Sequence, residues 1–364
     1  MTAPTLGPVL RTRPRTENRP PVTSTYNELL GRIRAEGLLE RRRGFYILMF
    51  SLLTVGLIGA GVGFVLLGDS WFQLLIAAAL GLIFTQFAFL GHEASHRQVF
   101  ASGPNNDRAG RLIATWLVGM SYQWWMTKHT RHHANPNTVG KDPDIAFDTI
   151  SFTEEDAARQ RGILAVITRR QGYLFFPLLL LEGVNLHVTS IRSLLSRGPV
   201  DRRASELVAI VLRLSIYVSI VFLMLPLGMA FAFLGVQLAV FGVYMGASFA
   251  PNHKGMPLLP AGTRVDFLNK QVLTSRNIRG GWTMSALMGG LNHQVEHHLF
   301  PSMARPHLRR ARILVREHCA AHGIPYTETG LITSYRIVIQ YLNRVGLSAR
   351  DPFDCPAAQQ MRRA

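Results

Sequence analysis

The chain is nearly free of cysteine. Cys319 and Cys355 form no CxxC pair and no disulfide framework. That argues against thiolate metal sites and against a disulfide-stapled secreted fold, and both residues read as ordinary thiols in a reducing compartment. Acidic residues are also scarce, 22 Asp and Glu against 39 Lys and Arg, giving a net charge of +17. No nucleic-acid-binding motif accompanies that charge, so no nucleic acid partner is expected. No signal peptide is expected either: the first 43 residues are polar and hold nine arginines but no apolar core. There is no internal repeat. The arm from residue 1 to about Val22 is expected to be disordered.

Long apolar runs are plentiful. Hydrophobic residues make up 48% of the chain and charged ones only 17%, with a mean hydropathy of +0.15. A spanning helix needs about 20 apolar residues. Four stretches qualify: 44–67, 71–91, 207–225 and 230–250. Gly68-Asp69-Ser70 and Pro226-Leu227-Gly228 are short turns, so the four read as two transmembrane hairpins. Arg213, the lone charge in the third, is expected to snorkel to the interface. Neither turn carries Lys or Arg, whereas 41–43, 169–170, 202–203 and 309–312 are rich in arginine. The positive-inside rule then puts both termini in the cytoplasm of a multi-pass cytoplasmic-membrane protein. Tyr173–Leu181 is too short to cross and reads as an in-plane or partly buried helix. Helices are also expected over 306–322 and from 329 to about 344. The expected fold is all-α: a main domain over 23–346, then a tail over 347–364.

Eight of the 13 histidines fall into a pattern. His92 and His96 (HEASH) stand four residues apart, on one face of a helix. His129, His132 and His133 (HTRHH) share the spacing of Gln294, His297 and His298 (QVEHH). His253 follows the fourth apolar run. Neutral imidazole suits iron, zinc, copper and nickel. With an even number of crossings between them, all three boxes lie on the cytoplasmic face and can supply two adjacent ions. HEASH also matches the zinc-protease HExxH motif, with Glu93 as base, but that reading leaves the other boxes unexplained. Asp142, Asp144, Glu93 and Glu296 are placed to accept an imidazole N–H and fix its tautomer. Trp124, Trp125 and His187 are candidates for a substrate path. His293, His307, His318 and His322 read as core or interfacial residues.

These residues resemble the membrane-bound fatty acid desaturases, which carry HxxxH, HxxHH and a third box, HxxHH or QxxHH. GGLNHQVEHHLFP (289–301) and HHANPN (132–137) look like the same family, and the resemblance runs from about Tyr26 to Gly346. It implies four transmembrane helices capped by a cytoplasmic domain that holds two iron ions. It also implies O2-dependent removal of two hydrogens from a fatty acyl chain, leaving a cis double bond. A lipid hydroxylase with the same metal site is the alternative. The glutamine of the third box is typical of front-end desaturases. Many of those carry a fused haem domain with a His-Pro-Gly-Gly motif. None occurs here, so electrons would come from a separate ferredoxin or a ferredoxin or flavin reductase, and the arginines of 305–316 could dock it. Relatives also take a ligand from the position of His253. Where they hold a water-bridging asparagine, this chain has Phe249. Asn252 or a water could take that place, and Gln294 is a weaker ligand or acts through water. Chain length, double-bond position and acyl carrier are left open by the sequence.

Overall fold

A computed structural model describes residues 22–348. The expectations for residues 1–21 and for the tail beyond 348 lie outside the described residues. The chain is almost wholly helical. The N-terminal part holds α1 (Val22–Ala35), α2 (Arg43–Leu67), α3 (Gln73–Ser95) and α4 (Gly103–Arg111), then a wider-wound π segment over Leu112–Val118, then α5 (Tyr122–Ala134). Short helices α6 (Glu154–Arg159) and α7 (Gly162–Thr168) lead into α8 (Gln171–Leu179) and α9 (Glu182–Leu195). The second half holds α10 (Arg203–Met224), α11 (Leu227–His253), α12 (Phe267–Leu273), α13 (Trp282–Leu287), α14 (Gln294–Leu299), α15 (Arg305–Ala321) and α16 (Leu331–Ser348). Two-residue strands β1 (Asn277–Ile278) and β2 (Glu328–Thr329) pair in parallel.

Four helices, α2, α3, α10 and α11, are long and apolar enough to cross a membrane. Their burial divides them. Only 11% of the apolar window of α2 and 17% of that of α10 is covered by protein, against 50% for α3 and 33% for α11. The outer pair exposes Ile47, Leu52, Val55, Ile58, Val211 and Ile216. So broad an apolar surface is stable facing lipid but not water. The inner pair packs together around Phe84, Phe87, Phe233 and Phe241.

Both inner helices extend past the apolar runs. α3 continues one turn beyond residue 91 and carries His92. α11 continues beyond residue 250, through Pro251, and carries His253. A proline inside a helix leaves the carbonyl four residues earlier without its partner. Here the Tyr335 hydroxyl donates to Ala247 O at 2.8 Å, and α16 thereby repairs the break. Arg276, 1% exposed, donates through Nε to Pro251 O (3.0 Å) and through Nη2 to Lys254 O (2.9 Å). A cation on the final carbonyls of a helix is favourable by charge as well as by hydrogen bonding.

Arg213 departs from the sequence expectation. It turns inward, its guanidinium 4.8 Å from the ring centres of both Phe84 and Tyr217, and Nε donates to Leu117 O at 3.1 Å. Aromatic faces and a free carbonyl replace the interface it would otherwise seek. α8 and α9 meet at a bend of 76° and together are long and apolar enough to count as a broken crossing. They lie against α11 at two glycines. A Cβ at Gly183 would come within 2.2 Å of Leu238 O, and one at Gly242 within 2.5 Å of Leu179 O. Gly183→Val should therefore push α9 off α11 and destabilise the protein by about 1–3 kcal/mol, read as a lower midpoint of thermal unfolding in detergent.

Candidate metal centre

The histidine boxes sit at helix ends that converge. α3 delivers His92, with His96 just beyond its last residue. α5, capped where Ser121 Oγ accepts from Trp124 N at 3.0 Å, delivers His129, His132 and His133. α11 ends on His253, and α14 is the third box itself. Two groups form. His92, His96, His129, His133 and His297 have ring nitrogens all within 4.8 Å of one another, as do His132, His253 and His298. The groups adjoin: the rings of His133 and His298 stack at 4.2 Å and 12°. The first box gives both its rings to the five-histidine group, and the other two boxes are divided between the groups.

The contacts inside the larger group are not ordinary hydrogen bonds. His129 Nε2 lies 2.9 Å from His92 Nε2, 2.8 Å from His96 Nε2 and 3.0 Å from His133 Nε2. One imidazole nitrogen offers either a single hydrogen or a single lone pair, so it cannot satisfy three others. Burial, reinforced by the neighbouring rings, holds His96, His129 and His133 far below the usual histidine range, and burial takes His297 to about 3. These rings are neutral, and their lone pairs crowd one point. His297 Nε2 is buried with no partner. Imidazole nitrogens sit about 2.0–2.1 Å from a zinc-sized ion, so two bound at right angles lie about 3 Å apart. Both the donor set and its spacing fit a shared cation.

The smaller group is oriented from behind. His132 Nδ1 donates to Asp142 at 3.0 Å, His253 Nδ1 to Thr274 O at 2.9 Å, and His298 Nδ1 to Gln271 Oε1 at 2.8 Å. Each Nδ1–H is thereby committed, and each Nε2 keeps its lone pair. Asp142 is held in turn by Asn137 N (2.7 Å) and Asp144 N (2.9 Å). Burial is the largest influence and opposes its charge, but the hydrogen bond from His132 and the positive charge around it, Lys254 included, together hold it below the usual carboxylate range. Asn137, from HHANPN, ties this loop to α11 by donating to His253 O at 3.0 Å.

Other candidates take different places. Glu93 does not touch an imidazole: Arg305 Nε and Nη2 grip both its oxygens at 2.7 and 2.6 Å. A buried carboxylate takes a bidentate arginine in preference to a neutral ring N–H. Glu296 likewise accepts from Asn277 Nδ2 (2.7 Å) and Tyr326 OH (2.8 Å), and burial pushes it up to about 7. Asp144 pairs mainly with Lys128 at 2.9 Å and lies 3.4 Å from His132 Nδ1. Gln294 Oε1 accepts from Asn252 Nδ2 at 3.1 Å, which turns the Gln294 amide nitrogen towards His253 Nε2 at 2.9 Å. Asn252 Oδ1 is buried without a partner.

The two tryptophans separate. Trp125 stacks on His129 (4.7 Å, 20°), with Nε1 buried and unpartnered. Trp124 lines a polar cavity of about 370 Å³ with Lys128, Arg131 and Glu182. His187 joins neither histidine group. It lines an apolar cavity of about 80 Å³ with Phe84, Arg213 and Tyr217. Phe249 stands against His92 (6.0 Å) and Trp125 (5.8 Å), making an apolar wall beside the larger group. Sequence reasoning missed Gln271, Thr274, Asn277, Arg276 and the role of Arg305. No local motif marks them.

Residues 69–330 match the sequence model described as fatty acid desaturase. The chain is 27% identical over 353 residues to a Delta(8)-fatty-acid desaturase of Helianthus annuus, covering 93% of this chain and 77% of that protein. It is 28% identical over 359 residues to a Delta 8-(E)-sphingolipid desaturase of Kluyveromyces lactis, covering 93% and 62%. A Delta(6)-fatty-acid desaturase of Caenorhabditis elegans is 26% identical over 337 residues, covering 89% and 75%.

Asp142→Asn keeps the size of the side chain but replaces an acceptor-only carboxylate with an amide. It should weaken metal retention on the order of 10–100-fold, measured as metal content after graded chelator washes.

Proposed function

The chain belongs to the fatty acid desaturase family, and from that membership and the two adjoining histidine groups we propose that it introduces a cis double bond into a fatty acyl chain at a non-haem di-iron centre, using O2. The single observation that carries the proposal is the convergence of eight histidine rings into a group of five and a group of three. His92, His96, His129, His133 and His297 would hold one iron, and His132, His253 and His298 the other. The iron pair, when bound, supplies the activation of O2 and the hydrogen abstraction that side chains cannot perform.

The protein's own residues prepare that centre. Burial keeps His96, His129, His133, His297 and His298 neutral, so their lone pairs are available without prior loss of a proton. Asp142, Thr274 O and Gln271 fix which nitrogen faces the metal. Trp125 and Phe249 form an apolar wall against the larger group, which excludes water and suits an alkyl chain. The Gln294 amide nitrogen lies 2.9 Å from His253 Nε2; an –NH2 is a donor and not a ligand, so with a metal on His253 it would turn to a water or the substrate beside the trio. Asn252 positions it. Glu93, neutralised by Arg305, is not free to serve as the base of a zinc protease.

The arginine distribution supports a cytoplasmic site and cytoplasmic termini. The glutamine in the third box and the Delta(6) and Delta(8) relatives support a front-end position for the new bond, between an existing double bond and the carboxyl end. The electron donor is a separate ferredoxin or a ferredoxin or flavin reductase. On α15, Arg305, Arg310 and Arg312 are committed to Glu93, Glu36 and Glu328, which leaves the exposed Arg309 and Arg316 as the side chains for an acidic donor.

Expression in a host with simple lipids should yield new cis-unsaturated acyl chains, located by mass spectrometry. His132→Ala should abolish them, with protein level unchanged. A hydroxylated lipid with no new alkene would identify a hydroxylase instead.

A further inference from the structure

The described residues hold another cluster with ligand chemistry, remote from the two histidine groups. We propose that Glu28, His318 and His322 form a divalent-cation site of the zinc class that clasps α1 to the end of α15. His318 and His322 repeat the four-residue spacing of His92 and His96, their ring centres 4.1 Å apart. One ligand atom from each of the three residues lies within 4.8 Å of the others.

Two details give the cluster a ligand's preparation. His322 Nδ1 donates to His318 O at 2.9 Å. Its lone pair is therefore on Nε2, which faces Glu28 Oε2 at 3.7 Å. That is the arrangement of a metal-binding histidine whose tautomer is set from behind. His318 is 1% exposed, and neither of its ring nitrogens has a hydrogen-bond partner. An imidazole desolvated at both nitrogens is costly in a packed core, and a cation bound at one of them offsets that cost. A simple Glu28–His322 ion pair would leave His318 unexplained.

The surroundings agree. Arg32, one turn after Glu28 on α1, would repel a cation, but it is paired with Glu317 at 2.9 Å. Cys319 is not a ligand. It lies in the apolar core with Leu314 and Val315, and burial pushes its thiol up to about 12. Two imidazoles and one carboxylate suit zinc, and the half-exposed His322 and exposed Glu28 leave a coordination position open to water. From Arg305, which grips Glu93 of the first box, to His318 is 13 residues of helix, or about 20 Å. The clasp is therefore separate from the proposed iron centre but belongs to the helix that braces it.

The test uses the full-length, iron-loaded protein in detergent, equilibrated with micromolar zinc chloride, washed, and analysed for both metals. Wild type should hold one zinc more per chain than His322→Ala or Glu28→Gln, with iron equal in all three. His132→Ala should lose iron and keep that zinc. Zinc should raise the thermal midpoint of wild type and not of His322→Ala, whose half-exposed side chain is not part of the core. Equal zinc in wild type and both variants, or a zinc-induced shift that survives them, overturns the site. Because neither variant touches the boxes, either result leaves the desaturase proposal standing or falling on its own test.

Discussion

The structure is organised around a local repulsion. Eight imidazoles are packed together with several ring nitrogens aimed at common points, and His129 Nε2 alone faces three other ring nitrogens within 3.0 Å. Such an arrangement has no stable hydrogen-bonding solution. A cation would turn that crowding into attraction, which is what the proposed metal centre rests on. The cost of holding the pocket open falls on the surrounding scaffold, where the least replaceable polar contacts occur.

That scaffold works mainly at helix ends. α3 and α11 pack side by side through the apolar part of the fold, and each keeps helical geometry just far enough to present its histidine. For α11 this requires crossing Pro251. Tyr335 takes the carbonyl orphaned by the proline, Arg276 and Ser334 take Pro251 O, and Asn137 takes His253 O. α16, the β1 region and the loop after α5 thus meet on one short stretch of backbone. At the π segment before α5 the half-buried Arg213 does the same for one carbonyl, donating to Leu117 O.

How far the sequence is legible follows from the range of each interaction. The four apolar runs and the three boxes are local patterns, and the helices carrying them appear where hydropathy and spacing place them. The apolar runs end at Gly91 and Ala250, where polarity begins, whereas hydrogen bonding carries α3 on to Ser95 and α11 to His253. Asp142 was accessible because it lies ten residues from its histidine. Gln271 and Thr274 orient His298 and His253 only after the chain has returned to the site, and nothing in their local sequence announces it. Glu93 and Glu296 were misread for the same reason: their partners, Arg305 and Asn277 with Tyr326, are far away in sequence or carry no motif.

The fate of those two carboxylates also explains why the centre is so purely nitrogenous. Each sits inside a box, one residue from a ring that faces the metal pocket, and each is turned away and neutralised. Glu93 is gripped at both oxygens by arginine, and Glu296 is held by an amide and a phenol in a setting that pushes it up to about 7. A free carboxylate in the pocket would compete with imidazole for a hard cation and would add charge to an apolar cavity. The same constraint bears on the smaller group, which has three rings where the larger has five. Beyond the groups that hold its rings from behind, its neighbours include the amides of Gln294 and Asn252, and Phe249 closes the adjoining wall without offering a donor. The two groups thus differ in the number of rings and in the carboxylates that stand behind His132, and on the proposed reading the trio would leave the greater share of a metal's sphere to water or substrate.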